Sequence, residues 1–125
     1  MYPITFCINT SKNEYDHLRL LFKSLDKHLV KKDHEILVFI DSDNGKSESF
    51  LLDQKKVFPD LKIIKHKQPF PVGYQANINY MFQVAKHDIV SYIQSDMVVG
   101  PNYDLEVLKH LQKDMILSST RIEPP

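Results

Sequence analysis

Short apolar runs alternate along the chain with longer segments in which apolar residues recur every three or four positions. The short runs are rich in β-branched and aromatic residues and end in polar turn formers, a pattern that is typical of buried strands. They lie at residues 4–8, 36–40, 61–64, 89–93 and 115–117. The longer segments predict amphipathic helices that begin near Asn13, Ser47, Tyr74 and Leu105.

Each predicted helix has one apolar face for the core. In the first helix, Asn13 is placed to cap the N-terminus. The apolar faces consist of Leu18, Leu21, Phe22, Leu25 and Leu29 in the first helix, Phe50, Leu51 and Val57 in the second, Tyr74, Ile78, Met81, Phe82 and Ala85 in the third, and Leu105, Leu108 and Leu111 in the last. The second of these faces is the weakest.

Strands that alternate with helices predict right-handed βαβ units and a parallel sheet. We therefore expect a Rossmann-like α/β protein with three layers, α/β/α, around a mostly parallel sheet of about five strands. The order of the strands in that sheet does not follow from these residues.

Composition narrows the class of protein further. The chain has 125 residues, of which 42% are apolar, and its 16 basic and 16 acidic residues balance to zero. A single soluble domain fits this length, and a neutral chain argues against a nucleic-acid partner. No apolar run approaches the ~20 residues of a transmembrane segment. The single cysteine, Cys7, is expected to be an inert core thiol, and one cysteine favours a reducing, cytoplasmic location.

Acidic residues follow two of the predicted strands. Asp41 and Asp43 come after the second strand, and Asp96 comes after the fourth. Parallel strands end at the same edge of a sheet, where ligands bind. Carboxylates gathered there suit Mg²⁺ or Mn²⁺, which keeps several waters and bridges to a diphosphate. Asp, Ser, Asn and Gly are also simply good turn formers after strands, so the residues by themselves leave both interpretations open.

The order of the polar motifs resembles the family-two glycosyltransferases. Gly73, Asn79 and Ala85 fall on the positions of the family's helix-opening motif, and Asp96 follows Asn79 by seventeen residues. The polar segment from Asn9 to Glu14 looks like the family's Pro-Thr-Tyr-Asn opening. The segment at residues 40–45 is similar to its Val-Asp-Asp-Gly-Ser stretch. The resemblance covers nearly the whole chain.

The resemblance implies the N-terminal part of an A-type glycosyltransferase fold that binds a nucleotide-diphosphate sugar, with a UDP type favoured. By it, Asp41 or Asp43 accepts a hydrogen bond from the base edge, and Asp96 holds Mn²⁺ or Mg²⁺ on the diphosphate. Transfer to an unknown acceptor would proceed with inversion. The implied nucleotide-binding residues are Thr10, Asn13, Asp41, Asp43, Gly73, Asn79, Gln94 and Ser95.

The sequence departs from the family pattern at three positions. Gln94 stands where the family's Asp-x-Asp motif has its first aspartate, which implies a hydrogen-bonding role for this side chain. Ile78 replaces an arginine and Met81 replaces a glycine. The acids after Asp96 do not match the family's general-base motif, so the catalytic residue is unknown. We therefore expect residues 1–125 to form one domain truncated before the acceptor-binding half.

Two other functions stay open from the residues. One is a non-enzymatic regulatory domain that binds a cation or phosphate through Asp41 and Asp43, and the other is a nucleotidyltransferase-like domain. The three glycines are scattered, so no glycine-rich phosphate loop is present. The six histidines show no metal-binding spacing and are expected to be solvated or capping. Lys62, Lys65, His66 and Lys67 form a basic patch that we expect to be a solvated strand edge.

Overall fold

The structure is a computed structural model of the chain, and it describes residues 1–41, 45–65 and 74–111. Strands β1 to β4 span Ile4–Thr10, Glu35–Ile40, Leu61–Lys65 and Ile89–Gln94. Helices α1 to α4 span Tyr15–His28, Lys46–Gln54, Tyr74–Val84 and Tyr103–His110, and a short 3-10 helix, Lys12–Glu14, precedes α1. Within these residues, no helix has the length and hydropathy needed to cross a membrane. The strand predicted at residues 115–117 lies outside the described residues.

The four strands form one parallel sheet in the order β3-β2-β1-β4. In β1, Phe6 lies opposite Ile36 of β2 on one side and opposite Ser91 of β4 on the other. The chain thus builds the sheet outwards from β1 to β3 and then returns across β1 to begin β4. This return creates a topological switch point between the carboxyl ends of β1 and β4, where open parallel sheets bind their ligands.

Helices cover both faces of the sheet. Since alternate residues of a strand point to opposite faces, Phe6 and Val38 pack in a core with helices α1, α2 and α4. Cys7 and Leu37 pack on the other face, against Met81 of α3. The predicted three-layer α/β/α architecture with a parallel sheet is confirmed.

Three details of the predicted helices are wrong. Helix α1 begins at Tyr15, and no side chain caps its N-terminus, so Asn13 is not the cap. Phe82 and Leu105 are 48% and 42% exposed and do not face the core. The part of α4 that packs on the core consists of Tyr103, Val107 and Leu108. Each residue along a helix turns the face by about 100°, so a spacing pattern without a fixed first residue leaves the buried face ambiguous.

A buried histidine–carboxylate pair ties α4 to the start of the sheet. His34 is 2% exposed, and its Nδ1 accepts a hydrogen bond from the backbone N–H of Ile4 at 3.0 Å. The other ring nitrogen, Nε2, therefore carries the proton and donates it to Oδ2 of Asp104 at 3.0 Å. The prediction that the histidines are solvated or capping is wrong for His34, because its partner lies 70 residues away in the sequence.

Asp104 is fully buried and joins the loop after α1 to the first turn of α4. Besides His34, it accepts hydrogen bonds from the backbone N–H groups of Val30, Lys31 and Leu105, each at 3.0 Å. Burial alone would raise the pKa of Asp104, but the bonds from Val30, Lys31 and His34 outweigh it and hold the pKa below its usual value. The carboxylate is therefore charged in the folded protein at neutral pH.

The described half of the basic patch is paired with carboxylates. Lys62 Nζ lies 2.6 Å from Oε2 of Glu35, which is buried, and Lys65 Nζ lies 3.2 Å from Oε1 of Glu48. Both lysines are about half exposed on β3, an edge strand of the described sheet. The expected solvated strand edge is confirmed for these two residues, and His66 and Lys67 lie outside the described residues.

Cys7 is expected to resist thiol reagents while the protein is folded. It is fully buried, and burial, assisted by the nearby charge of Glu35, raises the pKa of its thiol to about 12. The reactive thiolate is therefore almost absent at neutral pH. Titration with a chromogenic disulfide should detect no thiol in the native protein and one thiol in denaturant. Equal reaction rates in the two states would contradict a buried Cys7.

Candidate functional site

A crevice of about 400 Å³ opens at the carboxyl edge of the sheet. It lies at the switch point between β1 and β4. Its wall is formed by residues that end or follow three of the strands, together with the start of α1. The lining residues are Asn9, Thr10, Ser11, Asn13, Glu14, His17, Asp41, Gln94, Ser95 and Asp96. Strand order, rather than sequence proximity, brings these residues together.

The structure brings most of the predicted site residues into this one crevice. Thr10 comes from the end of β1 and Asp41 from the end of β2, where its backbone N–H donates to the carbonyl of Thr10 at 2.9 Å. Gln94, Ser95 and Asp96 enter from the end of β4. Asn13 lines the crevice, as predicted. It does not cap α1. The ends of three separate strands thus line a single pocket.

Three other predicted residues are placed differently. Asn79 lies on α3 with an exposed side chain and is not among the residues that line the crevice. Asp43 and Gly73 lie outside the described residues, so their place in the site stays a prediction.

Glu14 connects the two sides of the crevice. Its carboxylate accepts a hydrogen bond at Oε1 from the hydroxyl of Ser11, at 3.2 Å, and at Oε2 from the hydroxyl of Ser95. Ser95 is fully buried and directly precedes Asp96. The loop after β1 and the loop after β4 are thus joined through one side chain, which fixes the backbone on which Asp96 stands.

The wall of the crevice next to β1 contains polar atoms without partners. The hydroxyl of Thr10, a residue only 2% exposed, has no hydrogen-bond partner in the described part of the chain. The neighbouring Asn9 accepts a hydrogen bond at Oδ1 from Nδ2 of Asn77, at 3.2 Å. Oδ1 of Asn77, buried behind it in α3, is also unpartnered among the described residues. Most buried polar groups in proteins are satisfied, so these two atoms are exceptions, and both lie buried behind the open surface of the crevice.

The charge of the crevice is strongly one-sided. Glu14, Asp41 and Asp96 line it, whereas its described lining contains no lysine or arginine. The one imidazole in that lining is His17, which is exposed on α1. A crevice of this kind attracts a divalent cation and repels a bare diphosphate.

The donor set fits a cation shared with a ligand rather than a closed metal centre. Among residues 1–41, 45–65 and 74–111, no three His, Cys, Asp or Glu side chains are grouped so as to hold a metal ion. Asp96 is exposed at the crevice and offers hard carboxylate oxygens. Mg²⁺ and related ions accept such an arrangement, because one or two protein carboxylates, substrate phosphates and waters complete their coordination.

Sequence reasoning missed five residues in or behind the site. Asn9, Ser11 and Glu14 directly follow or end β1, so the rule that ligands bind at the carboxyl edge could have found them. His17 lies one turn into α1. Asn77 had no signal in the sequence, because its contact with Asn9 spans 68 residues.

A family model matches nearly the whole length of the chain. The model of Glycosyl transferase family 2 matches residues 7–122. The chain belongs to this glycosyltransferase family. No curated protein sequence is significantly similar to the chain.

Solved structures of glycosyltransferases share the fold. S. aureus TarS 1–349, solved in complex with UDP-GlcNAc, is 18% identical and superposes with a TM-score of 0.73, covering 86% of this chain and 30% of TarS 1–349. The mannosyltransferase PcManGT from Pyrobaculum calidifontis, solved with GDP-Man and Mn²⁺, is 19% identical with a TM-score of 0.68, covering 84% of this chain and 31% of its own. At these identities, the superpositions show that the chain has the A-type glycosyltransferase fold, and they show the fold alone. The chain spans about a third of the length of these proteins.

Proposed function

We propose that this chain is the nucleotide-binding part of a glycosyltransferase that holds a nucleotide-diphosphate sugar in the crevice between β1 and β4. The observation that carries the proposal is the convergence of Thr10, Asp41, Gln94 and Asp96 on one pocket at the switch point. The resemblance to family-two glycosyltransferases independently implies nucleotide binding by the first three of these residues and metal binding by Asp96. Transfer of the sugar, with inversion, belongs to the whole enzyme with its acceptor half.

A divalent cation, Mn²⁺ or Mg²⁺, is part of this proposal because of the charge of the crevice. Three carboxylates and no lysine or arginine line its described wall, so a diphosphate alone meets net repulsion. Asp96, with exposed oxygens at the end of β4, is the residue that would hold the ion. When bound, the ion offsets the negative charge that develops on the leaving nucleoside diphosphate.

The chain's own residues would bind and orient the nucleotide. Asp41, on the β2 side of the crevice, is placed to accept a hydrogen bond from an N–H of the base, and Thr10 lines the crevice near it. Gln94 offers a neutral amide where a second carboxylate would add further repulsion. A base with an N–H donor on its pairing edge, such as uracil or guanine, suits Asp41, and the resemblance favours a UDP type of donor.

Calorimetric titration of the chain with UDP and GDP, each with and without Mn²⁺, tests the proposed function. We expect heat from UDP in the presence of Mn²⁺ and an affinity at least about tenfold lower without it, a difference of about 1.4 kcal/mol. CDP, whose base lacks the N3–H of uracil, serves as the matched control and should bind more weakly. Equal binding with and without Mn²⁺ would contradict a shared cation. The absence of binding by every nucleotide would favour the regulatory-domain alternative.

Two wider expectations stay predictions at this point. One is a domain truncated before the acceptor-binding half, and the other is a cytoplasmic location. The acceptor and the donor sugar depend on parts of the enzyme beyond this crevice.

A further inference from the structure

A pair of asparagine side chains forms the back of the crevice wall at β1. Asn9 lines the crevice near the end of the strand, and Asn77 lies behind it in α3, only 1% exposed. Nδ2 of Asn77 donates to Oδ1 of Asn9 at 3.2 Å. This bond joins the sheet to α3, and neither residue is among those to which the resemblance assigns a role.

The hydrogen bond determines which end of the Asn9 amide faces the crevice. Because Asn77 occupies Oδ1 of Asn9, the Nδ2 group, with its two N–H donors, has no partner among the described residues and stays available to the crevice. The charges nearby favour the same orientation. Glu14, Asp41 and Asp96 make the crevice negative, so an amide there is more stable with its N–H groups, rather than its oxygen, turned towards them.

Packing alone does not account for Asn77. Its Oδ1 is buried and has no hydrogen-bond partner in the described part of the chain. A buried unsatisfied acceptor destabilises a fold, whereas an apolar side chain of the same shape carries no such penalty. Leucine has nearly the shape of asparagine. It would lie one helical turn before Met81, which packs against Cys7 on this face of the sheet. The unsatisfied amide oxygen of Asn77 therefore lowers the stability of the fold. What the amide supplies in return is the hydrogen bond that holds the side chain of Asn9.

We propose that Asn9 donates a hydrogen bond from Nδ2 to an oxygen of the bound nucleoside diphosphate, and that Asn77 is a positioning residue that orients this amide. The inference rests on the proposed function and names two residues that deepen it. Neutral donors are needed at this wall, because the described lining supplies no lysine or arginine to meet phosphate oxygens.

The test compares Asn77→Leu, Asn9→Ala and the double variant by UDP titration with Mn²⁺ and by thermal unfolding without ligand. Asn77→Leu should weaken UDP binding about fivefold, as expected for one lost hydrogen bond, while the melting temperature stays level or rises by about 4 °C. Asn9→Ala should weaken binding by at least as much. The double variant should bind like Asn9→Ala alone, since the two residues act through one amide.

Gln83→Leu is the matched control, because Gln83 is an exposed amide on the same helix. It should change neither the affinity nor, by more than about 1 °C, the melting temperature. A lower melting temperature for Asn77→Leu with wild-type affinity would show a purely structural role and overturn the inference. Additive losses in the double variant would overturn it as well.

Asn9→Asp keeps the inference testable even where Asn77→Leu fails to fold. Asn9 is 9% exposed, at the lining of the crevice; a carboxylate of the same shape still accepts the hydrogen bond from Asn77 but repels phosphate oxygens. Asn9→Asp should bind UDP more weakly than Asn9→Ala does, and equal binding would overturn the inference. Failure of the wild type to bind any nucleotide would overturn the proposed function itself, together with this inference. Normal wild-type binding with unaltered variants would overturn the inference alone.

Discussion

Asp96→Asn is expected to remove the effect of Mn²⁺ on UDP binding. With Mn²⁺ present, we expect the affinity to fall at least about tenfold, the factor that the ion contributes to binding by the wild type. Without Mn²⁺, the affinity should rise slightly, because one of the three carboxylates that line the crevice has lost its charge. The ratio of the affinity for UDP with Mn²⁺ to the affinity without it, measured by calorimetry, should therefore fall to about one.

Asp88→Asn is the control for this experiment. Asp88 is exposed just before β4 and belongs to a different depression, at the opposite edge of the sheet from Asp96. The same change of charge at residue 88 should leave both affinities as they are in the wild type. An unchanged ratio in Asp96→Asn would show that the cation is held elsewhere, and a loss of both affinities would show that the substitution damaged the pocket.

Asp104→Asn is expected to lower the free energy of unfolding by about 3 kcal/mol at neutral pH. The four groups that donate to the carboxylate are the backbone N–H groups of Val30, Lys31 and Leu105 and the ring of His34. An amide keeps one acceptor oxygen and places an NH₂ group against two of these donors, and each buried unsatisfied group costs about 1–3 kcal/mol. Urea unfolding followed by circular dichroism measures the change.

Glu106→Gln is the matched control for Asp104→Asn. Both acids lie in the first turn of α4, so each substitution removes the same charge near the helix N-terminus. Glu106 is about half exposed and pairs only with the exposed ring of His110, and such surface pairs contribute at most about 1 kcal/mol. Similar losses in the two variants would show that the helix dipole, rather than the buried hydrogen bonds, accounts for the effect.

The effect of Asp104 should also depend on pH. Its pKa in the folded protein is lowered, so the unfolded chain binds the proton more readily than the folded protein does. The stability that the carboxylate contributes is therefore complete above its ordinary pKa, near 3.8, and is lost as the pH falls through the lower value of the folded state. The difference between wild type and Asp104→Asn should shrink in acid, and a constant difference would contradict this account.

Local pattern was enough to predict the four strands and four α-helices that the structure describes, but not the 3-10 helix before α1. Each strand is a short apolar run, and each helix repeats its apolar residues at helical spacing, so the number and type of elements follow from the chain. The same pattern failed at Leu105 and Asn13. Which side of α4 is buried, and whether a 3-10 turn precedes α1, depend on what each helix packs against.

The candidate site was predictable only in its outline. Asp41 and Asp96 are predicted because acidic residues follow strands and parallel strands end at one edge, whereas Gln94 is predicted only by the resemblance to the family. Asn77 and the link from Glu14 to Ser95 were not found, since their partners lie 68 and 81 residues away. Contacts at such distances depend on strand order, which a sequence pattern leaves open.

By itself, the sequence determined the α/β class, the resemblance to family-two glycosyltransferases and the acidic character of the strand ends. The tertiary structure decided that β1 and β4 are neighbours, and with that it decided that Asn9, Thr10, Glu14 and Asp96 share one crevice. It also showed that His34 and Asp104 form a buried pair. The physical reason is that periodicity depends on neighbours a few residues apart, whereas a binding site and a buried hydrogen-bonded pair depend on which distant segments the packed sheet brings together.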